Sequence, residues 1–449
     1  MKKIIATILC AVAVLSAAAQ GKSEIVKTGI NFGPLPAIGY SSDLGWHYGA
    51  LTDIYWYGDG SVYPDYVWKA NVEASWYSKG NSVYHAFFDS KYLIPGIRVS
   101  ADLTYLGNKT SNFFGFDGAA SKYIKALDKI TDDGQGLYLM RRDNFRVELT
   151  AQGKIGESHW GWVGGMAFNY YRTGHAENKG LSGKTNDISL YDVYVDNGII
   201  PAQEAAGGSH LEFKAGVVFD TRDHENNPSR GSNLEFFFFG SPDILNGDRG
   251  GYRNDYLKMA IHFKQFFTLV PDRLVFGGHV AYQGLIAGTS PFYTLQTIMP
   301  INRKNIITDG LGTTNTIRGT VINRFLGNGY AWGNFELRWS FARFKLFNQN
   351  FILATNPFFD LGMVVQPYRM DQLKALAGNS TQIAALPDGT PVLVKDLYTG
   401  LNEKLHMSAG AGLHIIMNQN FNINFELGKC FDKNDGEGLG INVGLNYIF

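Results

Sequence analysis

A few stretches of this chain carry residues that could bind or transform a ligand. GLSGKT at 180–185 ends like a phosphate-binding loop, in which backbone amides cradle phosphate and the lysine reaches its outer oxygens. Asn178 stands where such a loop needs its first glycine, so no nucleotide site is expected. DKNDGEG at 432–438 offers the oxygen ligands of a calcium loop, but its spacing fails, and Asp435-Gly436 reads as a hairpin turn. His406 and His414 lie too far apart along one strand to share a metal ion. No Ser/His/Asp set and no pair of carboxylates has a spacing that suggests catalysis. The expectation is a protein that is not an enzyme and holds no cofactor or metal.

The polar residues sit instead within a two-residue alternation. NFELRWSFA puts Phe335, Leu337, Trp339 and Phe341 on one face and Asn334, Glu336, Arg338 and Ser340 on the other. HLEFKAGVVFD sets Leu211, Phe213, Ala215, Val217 and Phe219 against Glu212, Lys214, Gly216 and Asp220. FNINFELGK repeats the pattern with Phe421, Ile423, Phe425 and Leu427 against Asn422, Asn424, Glu426 and Gly428. Successive side chains of a strand point to opposite faces, so each segment is a strand with one apolar and one polar face. Asp360 falls on the polar face because Phe359, Leu361 and Met363 fall on the other. The chain stops on the same pattern, with Tyr447 and Phe449 on the apolar face of GLGINVGLNYIF.

Composition agrees. Aromatic residues are 14%, glycines number 53 and charged residues are only 18%. The net charge of zero gives no general affinity for nucleic acid. The start, MKKIIATILCAVAVLSAAAQ, runs from lysines through an apolar stretch to small residues, the order of a secretory signal spanning 1–19. Ile8 and Leu9 are too bulky for a lipidation box at Cys10. Cleavage leaves Cys430 alone, with no disulfide to form. The rest, 20–449, reads as one unit with nothing before it.

The strands run about 10 to 16 residues, against five or six in soluble proteins. Long strands with one greasy and one wet face predict an all-β fold: a transmembrane antiparallel β-barrel with lipid outside and a polar lumen. It must close, because an open edge in lipid leaves backbone groups unpaired. Roughly sixteen strands are expected, an even number as such barrels favour. Long loops near 108–137, 174–207, 288–330 and 366–402 then share one end, and short turns the other. That arrangement puts both termini in the periplasm of a bacterial outer membrane.

Three stretches go beyond a generic barrel. They are GVVFDTRDHENNPSRGSNLEF at 216–236, TIRGT at 316–320 and NPFFDLGMV at 356–364. In order and strand position they resemble the barrel of the BamA/TamA family of outer-membrane assembly proteins, also known as bacterial surface antigens. The resemblance places a D-x-R-D turn between strands 8 and 9, as Asp220, Arg222 and Asp223, closed by Pro228 and Gly231. It places the family's sixth-loop motif at Ile317, Arg318 and Gly319, with Thr320 where an aromatic is usual. It implies that this loop folds back into the lumen and that Arg318 pairs with acidic residues on the inner wall. Parity supplies Asp360 as first acceptor and Glu336 as second. The alternative is a solvated loop arginine. The turn at 220–231 reads either as a purely structural device or as a periplasmic docking ridge.

Resemblance to outer-membrane barrels implies that Tyr447 and Phe449 act as an insertion signal and that the last strand closes on the first. The first strand, GINFGPLPAIGYS, holds two prolines that weaken a ladder unless they precede the strand. The family implies that this seam is a lateral gate. Members usually carry POTRA domains, and none is read here. The function implied is protein insertion or envelope assembly, working with lipid and with periplasmic or outer-membrane partners. Two other readings stand beside it. One is a porin-like channel or passive transporter. The other is a structural scaffold or homodimer.

Overall fold

The computed structural model describes residues 25–41, 45–128, 136–177, 188–301, 310–312, 316–436, 438–445, 447 and 449. The signal segment, Cys10 and the GKT stretch at 180–185 lie outside them.

The alternation becomes strands where it was read. In chain order these are β1 (Ile30–Ser41), β2 (Gly45–Trp56), β3 (Trp68–Tyr77), β4 (Ser82–Ile94), β5 (Ile97–Gly107) and β6 (Leu139–Lys154). Next come β7 (Trp160–His175), β8 (Gly207–Asp220), β9 (Gly231–Ser241), β10 (Tyr256–Val270) and β11 (Leu274–Gly288). Then follow β12 (Gly329–Leu346), β13 (Gln349–Thr355 and Phe358–Gln366), β14 (His406–Met417), β15 (Phe421–Cys430) and β16 (Gly440–Leu445). Each pairs antiparallel with the next. The main sheet has 18 strands by pairing. One of these is a two-residue strand, Ser111–Asn112, against the start of β6. Another arises because Pro357 splits β13, which leaves sixteen wall positions.

The two faces differ as unlike surroundings demand. Phe213, Leu337, Trp339, Leu413 and Phe425 are exposed on the outer wall, while Glu212, Glu336, His414 and Glu426 are buried inside. The sheet is rolled, since its first strand comes back beside its last ones. A methyl on Gly33 of β1 would lie 3.4 Å from the ring of Phe421 on β15. Ile25 and Asn350 exchange two hydrogen bonds of 3.0 Å.

The long loops do not wave freely. Those after β5, β7, β11 and β13 bring Phe113, Phe116, Tyr194, Phe292, Tyr368 and Leu397 into one apolar cluster, which caps that end of the barrel. Glu204, fully buried in the cap, accepts from the Phe292 amide at 2.9 Å and from Arg369 at 3.0 Å.

Asp117 is also buried in the cap, and accepts the Tyr368 amide at 2.7 Å. Burial pushes its carboxyl up to about 8, and nearby Glu403 adds to the shift against the pull of that amide. A carboxyl with a higher pKa folded than unfolded takes up a proton on folding, so stability falls as pH rises from about 4 towards 8. Asp117→Asn keeps the acceptor and removes the ionisation. Its melting temperature should lie nearest wild type at about pH 4 and exceed it by about 2–4 °C at pH 8 and above. Thermal scans across that pH range measure this; a constant offset would rule out ionisation as the cause.

Candidate functional site

The described residues of the loop between β11 and β12, 289–301, 310–312 and 316–328, include a stretch that enters the lumen. Met299 and Ile301 pack on Phe237, Phe239 and Ala260 of the inner wall. Lys214 donates to the Ile301 carbonyl at 2.6 Å. Further on, Ile317 is buried with Leu311, Tyr330, Trp332 and Val364, which sets the next residue against the wall.

That residue is Arg318, only 1% exposed. Its Nε and Nη2 grip Asp360 of β13 at 2.8 and 2.9 Å, and its own backbone amide donates to the same carboxylate at 3.0 Å. Nη1 reaches Glu336 of β12 at 2.6 Å and Glu426 of β15 at 2.8 Å. The guanidinium lies 3.5 Å from the centre of the Phe358 ring, a stacked cation–π contact. A planar fork with five donors is suited to such a multi-carboxylate seat, and a lysine is not.

Neighbouring amides complete the hydrogen bonding. Asn334 donates to Asp360 at 2.9 Å. Asn356, turned inward by the break at Pro357, donates to Glu336 and Glu426 at 3.2 and 3.0 Å. Glu426 is the participant that sequence reasoning did not assign, although the alternation in FNINFELGK had already put it inside. Thr320 packs no ring; its hydroxyl donates to the Ile317 carbonyl at 2.7 Å and closes the turn locally.

Gly319 allows the loop backbone to touch the wall backbone. Its φ is +91°, and a β-carbon there would fall 2.5 Å from the carbonyl carbon of Gly428. Gly428 and Gly440 face each other across β15 and β16. A methyl on Gly428 would lie 2.7 Å from the Arg318 oxygen, and one on Gly440 2.6 Å from the Gly319 α-carbon. Three glycines therefore form one seat.

The carboxyl end corrects the sequence expectation. Tyr447 and Phe449 do not continue the outward face of β16, which ends at Leu445. Both turn inward. Tyr447 stacks on His414 at 4.2 Å and packs with Ile352 and Ile416, while Phe449 stacks on His279 at 5.4 Å. Arg338 holds the pair, lying 3.8 Å from the Tyr447 ring centre and donating to the Phe449 backbone oxygen at 2.9 Å. Its Nε donates to Glu336 at 2.9 Å, so the tail is wired to the Arg318 cluster. Alternation reports only which faces are unlike; it does not register a cationic aromatic pocket waiting inside. Nor does the last strand zip to the first: among the described residues, no ladder pair joins β1 and β16.

The turn after β8 closes on itself. Arg222 donates to Asp220 at 2.9 and 2.6 Å. Asp223 accepts from the Ser229 and Arg230 amides at 2.9 and 3.3 Å. Burial opposes ionisation there, yet these donors and the Ser229 hydroxyl hold the Asp223 carboxyl below its usual range. Pro228 is buried, and Gly231 has φ +98° with the Thr221 oxygen 2.3 Å from where a β-carbon would sit.

The same turn also reaches across the barrel mouth. Glu225 pairs with Arg98 at 2.9 Å and Lys91 at 3.2 Å, and Asn226 donates to Asn420 at 3.0 Å. Asn420 in turn donates to the Tyr57 hydroxyl at 3.1 Å, beside buried Tyr55 and Tyr66. Turns that are not neighbours round the wall thus meet over the short-turn end. Sequence reasoning missed this floor; its trace was only that 57–66 and 220–231 exceed ordinary turn length.

The family model described as the Omp85 superfamily domain matches residues 68–449. Among solved structures, the chain is similar to CdiB from Escherichia coli, with 11% identity and a TM-score of 0.53, covering 93% of this chain and 61% of that one. It is similar to BamA from Haemophilus ducreyi lacking POTRA domains 1–3, with 15% identity and a TM-score of 0.48, covering 94% and 70%. For CdiB from Acinetobacter baumannii the identity is 11% and the TM-score 0.41, covering 93% and 65%. The chain thus spans less than two thirds of either CdiB. The likeness to the Escherichia coli protein is one of fold. No curated protein matches.

Proposed function

The chain belongs to the Omp85 superfamily, and from that membership we propose a non-enzymatic barrel of the bacterial outer membrane that inserts proteins or assembles the envelope with partner proteins. Both termini lie on the periplasmic side in this reading, with the capped loops outside. One observation carries it: the wall is unzipped between β1 and β16 among the described residues, and Tyr447 and Phe449, past the end of β16, turn into the lumen. In hydrocarbon only another strand satisfies an open sheet edge. A barrel that keeps such an edge is suited to handling strands.

The interior speaks against the channel reading. The cap, the loop carrying Arg318 and the floor of crossed turns all stand in the path of a solute. In planar bilayers the purified barrel should show no steady porin-like conductance. The deciding experiment is depletion of the protein followed by quantitation of all outer-membrane proteins. A several-fold fall in a set of barrel proteins is expected; unchanged levels would sink the assembly role.

A further inference from the structure

At the short-turn end several cations are already occupied. Lys91 and Arg98 beside the β4–β5 turn pair with Asp65, Asp89 and Glu225, and Arg222 pairs with Asp220. The hairpins joining β10 to β11 and β12 to β13 differ. They are tied together, since Arg343 donates to the Asp272 carbonyl at 2.8 Å. They expose Arg273, Arg343 and Lys345, and the acid in these turns is Asp272. Among the described residues, neither Arg273 nor Arg343 pairs with a carboxylate. Beside these cations stand exposed Leu269, Val270, Leu346 and Phe347. They prolong the outward apolar strip of the wall, where Phe267 stacks on Phe276 and Phe344 on Phe351.

Phe347 is the telling residue. Leu346 pairs with Gln349, so Phe347 and Asn348 alone make the turn, at φ +49° and +57°. A two-residue turn with both φ positive favours Asn and Gly, and a bulky side chain there is strained. The fold gains nothing from the ring, which is 87% exposed. Strain kept where the fold does not use it marks a contact made outside the chain.

We propose that these two hairpins bind anionic phospholipid of the periplasmic leaflet: Phe347 and its apolar neighbours enter the acyl region, and Arg273, Arg343 and Lys345 hold headgroup phosphates. Apolar side chains beside a basic face are the order of an interfacial anchor, and a guanidinium forks onto phosphate. An acidic protein segment would match the cations but not an apolar strip continuous with the lipid-facing wall. The anchor rests on the outer-membrane reading for its leaflet, and not on the assembly role.

The test places the full-length barrel in vesicles of phosphatidylcholine, with or without phosphatidylglycerol, and compares its melting temperature there with that in detergent. Phosphatidylglycerol should raise it by about 3–5 °C at low salt, and about 1 M salt should remove most of that gain. Arg273→Ala, Arg343→Ala and Lys345→Ala together should abolish the gain, whereas Lys154→Ala, exposed at the β6–β7 turn, should keep it. Phe347→Asn should act in opposite directions in the two media. It should melt about 2 °C higher in detergent, where the strain is relieved, and gain less from either vesicle. Equal melting in the two vesicles, as expected if the cations serve an acidic protein, would overturn the proposal. So would a gain that survives the triple substitution, or a Phe347→Asn barrel less stable in detergent. A barrel that enters the vesicles without a phosphatidylglycerol gain refutes the anchor and leaves the outer-membrane reading standing; one that stays out of them refutes both.

Discussion

Arg318→Ala is expected to destabilise the barrel by about 3–5 kcal/mol, the scale on which removing one partner leaves buried opposite charges uncompensated. Three carboxylates converge on the guanidinium, and Asp360, Glu336 and Glu426 are each almost fully buried. Without it, the arginine left beside them among the described residues is Arg338, which pairs with Glu336. The loop would then lose its charged anchor to the wall and keep backbone contacts such as those of Lys214 with Ile301 and Asn334 with Thr316. The measurement is the temperature at which the folded, fast-migrating form is lost on a gel, supported by thermal scans.

Two further variants make this result specific. Arg318→Lys should recover only part of the loss, because an ammonium cannot fork onto Asp360 while also meeting Glu336 and Glu426. Arg318→Ala with Asp360→Asn should be more stable than Arg318→Ala alone, since one orphaned charge is removed. If Arg318→Ala melts like wild type, the cluster does not hold the loop.

The second large effect is expected at the glycine seat. Gly319→Ala adds a β-carbon to a residue at φ +91° and drives it to 2.5 Å from Gly428. Gly428→Ala pushes the same contact from the wall side. Left-handed strain and overpacking each cost about 1–3 kcal/mol, so either change should lift the loop and loosen Arg318 with it. Gly174→Ala is the control, because a methyl there meets nothing within 4 Å. Combined with Arg318→Ala, the seat variants should add much less than their separate losses, as expected of groups serving one contact. Full additivity would show that glycine seat and arginine lock act independently.

These two features differ in how far sequence alone reveals them. Parity placed Glu336 and Asp360 inside, and a short motif marked Arg318 and Gly319. Nothing local marked Gly428 and Gly440 as a seat, because a glycine in a strand looks the same whether it faces water or another backbone. The inward tail is a similar case. Its alternation continues through Phe449, yet the competing environment, Arg338 with His414 and His279, is assembled from three distant strands.

By itself the sequence determined the strands, their faces, their number and which end holds the long loops. Those are consequences of a two-residue repeat, set by backbone geometry within a dozen residues. Only the tertiary structure decided that Glu426 meets Arg318 across 108 positions, that turns far apart on the wall meet over its mouth, and that among the described residues no ladder pair joins β1 and β16. Such contacts depend on how the sheet curves and which edges meet, and no local pattern encodes the curvature of the wall.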